Sequence, residues 1–122
     1  MDRNDSKRTT KTAFPVWDGR IAPLFDTARD LHLVDLAGGF PVASGDEPLP
    51  PGPVERRAAR LAALGVGTLV CGAISREGRA VVEAAGVRVV PFVAGERDAV
   101  VRAFLDGSLG SPEFAMPGCG GG

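Results

Sequence analysis

The feature that most constrains the fold is a motif that occurs twice, Leu61-Ala62-Ala63-Leu64-Gly65-Val66 and Val82-Glu83-Ala84-Ala85-Gly86-Val87. In each, a helical run closes on a glycine and passes directly into β-branched residues, the pattern of a Gly-capped helix followed by a strand. Ahead of the first motif, Val54, Ala58, Leu61, Ala62 and Leu64 share one helical face, and Glu55, Arg56, Arg57 and Arg60 the other. After it, Val66, Leu69 and Val70 run together instead of alternating, as in a strand covered on both faces. The second unit predicts a helix over about 76–85 and a strand over 87–92. Strands joined through a helix lie parallel, so this half of the chain is a β-α-β crossover and the fold class is α/β.

The preceding half has a different grammar. Ala13, Phe14, Val16 and Trp17 form a short strand whose Pro15 needs an edge, a bulge or a strand end. Asp18-Gly19 is a turn, and residues 21–28 are an unusually apolar loop, of a kind that packs on or lines something. Leu31, Leu33, Val34 and Leu36 make a second strand, and Gly38-Gly39 turns it antiparallel into Phe40-Pro41-Val42-Ala43. By composition, residues 44–53 are a proline-rich loop. A third helix follows Gly95, with Glu96 and Asp98 in its first turn and Val100, Val101, Phe104 and Leu105 for packing. The expected organisation is a disordered tail over 1–11, one domain over 12–109, and a Gly/Pro-rich tail over 110–122 that carries Met116-Pro117-Gly118-Cys119.

Composition excludes several functions. At 122 residues and 44% hydrophobic content the chain supports one core. Fourteen Lys and Arg against fifteen Asp and Glu leave no electrostatic footprint for nucleic acid or an anionic membrane. No apolar run approaches the roughly 20 residues of a membrane helix, and no signal peptide opens the chain, so a cytoplasmic protein is expected. Cys71 and Cys119 are too few for a closed zinc site or a disulfide framework, and both thiols are expected to be free. His32, the single histidine, is a weak metal ligand on its own. The first strand lacks the carboxylates a two-metal nuclease needs, and Cys71 lacks an evident base, so no catalytic residues are assigned.

In open α/β sheets, ligands collect outside the carboxyl ends of the parallel strands, here Cys71-Gly72 and the stretch from Phe92 to Gly95, each followed by a helix start. Ser75 reads as an N-cap, and unpaired N–H groups at that terminus favour an anion and bias the Cys71 thiol toward thiolate. The competing reading of Cys71 is a small buried hydrophobe. The candidate anion-binding set is Cys71, Gly72, Ser75, Arg76, Arg20 and Cys119, with the two cysteines as soft metal ligands and the two arginines as counter-charges. Solvated surface is the competing reading for each arginine.

Trp17-Asp18-Gly19-Arg20-Ile21-Ala22-Pro23-Leu24-Phe25-Asp26, Leu69-Val70-Cys71-Gly72-Ala73-Ile74-Ser75-Arg76, Val90-Pro91-Phe92-Val93-Ala94-Gly95 and Met116-Pro117-Gly118-Cys119, in this order, resemble the dinitrogenase iron-molybdenum cofactor biosynthesis family. That family includes NifX, NifY and the C-terminal domain of NifB. The resemblance implies an RNase H-like α/β fold with a mixed five-stranded sheet flanked by helices. It also implies a non-catalytic protein that binds or carries iron-molybdenum cofactor, its precursor or another molybdenum or iron-sulfur cluster between donor and acceptor proteins. The alternative is an adaptor that docks on a partner through residues 21–25 and the Cys119 tail without binding a cluster.

Overall fold

Strand β1 (Thr9–Trp17) is the centre to which the rest of the sheet is attached. The computed structural model describes residues 9–117. After β1 come β2 (Arg20–Ile21), a 3-10 turn (Phe25–Thr27), β3 (Asp30–Ala37), β4 (Phe40–Pro48), α1 (Val54–Leu64), β5 (Thr68–Val70), α2 (Arg76–Ala84), β6 (Arg88–Val90), α3 (Arg97–Asp106) and a second 3-10 turn (Pro112–Phe114). The strand order is β4-β3-β1-β5-β6, with β2 also paired to β1. β3 pairs antiparallel with both β1 and β4, whereas β5 lies parallel to β1 and to β6. The mixed α/β sheet flanked by helices is therefore present, and the two-residue β2 is a sixth strand beyond the five expected.

Alternation along the strands splits the core into two layers. Ala13, Leu33, Leu69 and Val89 point to the face covered by α1 and α2, where they meet Ala58, Leu61 and Val82. Phe14, Val34 and Val70 point to the other face and meet Val100 and Ala103 of α3. Because β5 is buried on both sides, its apolar residues run consecutively, which is the pattern its sequence shows. Asp18 (φ 55) and Gly19 (φ 77) form the two left-handed positions of the β1–β2 hairpin, a turn whose twist matches that of its strands.

Two segments depart from expectation. Residues 9–11, read as part of a disordered tail, extend β1 because their backbones pair with residues 35–37 of β3. Residues 44–48, read as loop, continue β4 as far as Pro48 opposite Asp30. β4 is an outer strand exposed on both faces, so no burial imposes an alternating pattern on it, and an edge tolerates Pro41 and Pro48. His32 meets Asp46 across this pair, Nδ1 to Oδ1 at 2.9 Å, which gives the lone histidine a structural partner. No helix among the described residues is long and apolar enough to cross a membrane.

Candidate functional site

The carboxyl edge of the parallel strands is shaped by a competition for one side of β1. β5 pairs there with Thr12 and Ala13, and β2 pairs there with Val16 and Trp17. β2 thus occupies the place into which β5 would extend, and the chain leaving β5 at Cys71 runs into residues 21–25. That apolar stretch is a strap fastened across the edge: Ile21 N–H donates to Gly95 O (2.9 Å), Ala22 N–H to Pro15 O (2.9 Å), Ala73 N–H to Pro23 O (2.9 Å) and Phe25 N–H to Ala73 O (2.8 Å). Gly72 lies beneath it so closely that a Cβ would stand 2.7 Å from Ala22 O and 2.9 Å from Pro23 O. Its role is steric, since only a residue without a side chain lets these backbones meet.

Under the strap, Cys71 is fully buried in the layer it shares with Phe25, Leu69 and Val82. Of the two readings of Cys71, the small buried hydrophobe is the one the packing bears out, and the thiolate is not favoured. Burial pushes the thiol from 9.0 up to about 12, against a smaller lowering from Arg79 and with a further rise from Asp26. Desolvation outweighs the helix terminus, and Cys71 is a protonated core group.

Ser75 is the N-cap of α2, its Oγ accepting from Gly78 N–H at 2.9 Å. The expected vacancy for an anion at this terminus is already filled. The Asp26 carboxylate, carried by the 3-10 turn, accepts from Ser75 N–H (2.9 Å) through Oδ1 and from the Ser75 hydroxyl through Oδ2. An intramolecular carboxylate therefore satisfies the helix dipole. Sequence reasoning missed Asp26 because its partner is 49 residues away.

The remaining candidates lie at the surface. Arg76 opens α2, and Arg20 lies on β2, where it pairs with Trp17 and bridges through its backbone to Glu96 just ahead of α3. Both are exposed, and neither makes an ion pair among the described residues. Cys119 lies outside the described residues, as does Gly118. The chain ahead of it is anchored beside the exit of β6: Phe114 is buried and accepts from Ala94 N–H (2.8 Å), Ala115 bridges to Val93, and Met116 N–H donates to Phe92 O (3.2 Å).

The edge also exposes apolar side chains: Trp17 at 62%, Phe92 at 44% and, from the loop expected to pack on or line something, Leu24 at 37%. A cavity of about 370 Å³ lies between Trp17, Pro23, Leu24 and Arg29, and one of about 260 Å³ between Phe92, Leu109, Ser111 and Phe114. Among the described residues no group of three or more His, Cys, Asp or Glu side chains is placed to hold a metal ion. The described part of the edge thus offers two exposed arginines and apolar walls.

No curated protein matches the chain significantly. Among solved structures, PH0822 superposes with a TM-score of 0.75 at 21% identity, over 80% of this chain and 92% of that one. The apo form of the orange protein from Desulfovibrio gigas superposes at 0.65 with 28% identity, over 84% and 92%. A Thermotoga protein of the DUF35 family does so at 0.64 with 21% identity, over 81% and 90%. The sequence profile described as dinitrogenase iron-molybdenum cofactor matches residues 8–107, which takes in β1 through α3, the strap and the edge that it closes. The chain belongs to that family.

Proposed function

We propose that this protein carries an anionic iron-molybdenum cluster, its precursor or a related metal-sulfur species between donor and acceptor proteins without transforming it. The observation that carries this reading is the family match over residues 8–107, joined to the anchoring of Phe114 and Met116 beside β6 just ahead of Cys119. The three residue steps from Met116 to Cys119 span at most about 10 Å, so the covalent chain keeps that thiol within reach of the edge. Cys119 then supplies the soft ligand, while Arg20 and Arg76 neutralise the anion. Gly72 and Ser75 shape the rim, and Cys71 stays beneath it as part of the core. A relative 28% identical to this chain is described in an apo form, which suits a fold that takes up and releases a ligand.

Anaerobic titration of the full chain with tetrathiomolybdate, followed by visible absorbance and metal analysis, tests this. Saturable uptake is expected, lost in Cys119→Ala, weakened in Arg20→Ala and Arg76→Ala, and unchanged in Cys71→Ala. Equal uptake by Cys119→Ala overturns the thiol's role. Absence of uptake by the unmodified protein overturns the carrier reading and leaves the adaptor reading, which the exposed Trp17, Leu24 and Phe92 favour as a docking surface.

A further inference from the structure

Among the described residues only two besides glycine have left-handed backbones, and they differ in kind. Asp18 occupies a hairpin turn that requires it. Phe92 (φ 65) is a bulky residue in a conformation that crowds its Cβ and that glycine would adopt freely. The backbone is held there from both sides: Phe92 N–H donates to Gly72 O (2.8 Å), Val93 N–H donates to Cys71 O (2.9 Å), and Phe92 O accepts from Met116 N–H (3.2 Å). What this fixes is the ring. It stands 44% exposed at the carboxyl end of β6, as one wall of the 260 Å³ cavity shared with Leu109, Ser111 and Phe114. Packing does not account for an aromatic side chain kept at a strained position and left half in water, and strain of this kind marks binding sites.

We propose that Phe92 is a ligand-binding residue whose ring forms the apolar wall against which the anionic metal-sulfur cargo seats, keeping water from its sulfides. This rests on the carrier reading above. The edge of an aromatic ring carries the positive part of its quadrupole and so suits the sulfides of an anionic cargo, and an apolar shell limits the access of solvent to a metal-sulfur group. The ring is well placed for this because its own backbone carbonyl holds Met116, on the segment that leads to Cys119. The arginines supply attraction, and Phe92 supplies the dry side.

The test is anaerobic equilibrium dialysis of tetrathiomolybdate against the full chain, its Phe92→Gly variant and its Phe92→Tyr variant, with thermal unfolding of each. Glycine suits the left-handed backbone, so Phe92→Gly is expected to unfold cooperatively. It is expected to bind the probe about three- to tenfold more weakly, the scale of a sulfur–aromatic contact. Its bound probe should also bleach faster on exposure to aerated buffer, whereas Phe92→Tyr retains wild-type behaviour in both respects. Wild-type affinity and bleaching in a folded Phe92→Gly protein overturn the proposal while leaving the carrier reading intact. No binding by the unmodified protein removes both.

Discussion

A buried thiol whose proton is held to about pH 12 in the folded protein links protonation to stability. The unfolded chain releases the Cys71 proton near 9.0, so between that value and about 12 the native state binds more protons than the unfolded state. Stability contributed by the neutral thiol is fully present below pH 9 and is lost as pH rises through this window, with a slope of up to about 1.4 kcal/mol per pH unit, set by one proton. Urea unfolding followed from pH 8.5 to 10.5 should show this decline, and Cys71→Ala should flatten it. Persistence of the full slope in Cys71→Ala would place the linkage at another group. Cys71 also marks the limit of reading chemistry from neighbours in sequence. The glycine turn and nearby helix start were legible, but the strap that seals the thiol from water comes from residues 21–25.

At the scale of elements, the first turn of α2 depends on a carboxylate from another part of the chain. Asp26→Ala removes the acceptor of both Ser75 N–H and the Ser75 hydroxyl, and is expected to cost about 1–2 kcal/mol in urea unfolding, as for loss of a charged cap. Because Ser75 Oγ lies between Asp26 and Gly78 N–H, Ser75→Ala should not add fully to it. A double-mutant cycle should give a coupling above about 0.5 kcal/mol, and strict additivity would show that the carboxylate and the cap act separately. Elements whose pattern arises from burial were readable, as with the change of period at Val54 and the unbroken Leu69-Val70 run. Elements that exist through backbone pairing alone were not: the polar Thr9, Thr10 and Lys11 and the exposed second half of β4 carry no periodic signal. Arg57 was assigned to the polar face of its helix for a similar reason. It is buried, donating through Nη1 to the nearby Gly52 O (2.9 Å) and through Nε to Ala28 O (2.8 Å), an acceptor that only the folded chain brings near.

At the scale of the molecule, two apolar layers close on a sheet in which neither layer includes a metal ligand set among the described residues. The chelated, fully reduced protein is therefore expected to unfold in one cooperative transition with the same midpoint as untreated protein; a chelator-induced loss of the folded signal would show that metal holds the fold together. The two halves of the sheet meet along a narrow junction, since β1 and β5 share only the pairs Thr12 with Thr68 and Ala13 with Leu69, whereas β1 and β3 are paired from Thr9 to Val16. The order in which synthesis completes the sheet follows from the order of the chain, with β1, β3 and β4 ahead of α1 and β5. The antiparallel strands emerge first and pair locally, but the side of β1 reserved for β5 stays open until both α1 and β5 have emerged. Ala13 and Leu33 on one face, and Phe14 and Val34 on the other, likewise wait for the helices that will cover them. An open strand edge accepts a foreign strand as readily as its own. A nascent chain that has emerged from the ribosome only as far as residues 53–68 thus presents a sheet with one adhesive edge and two bare faces.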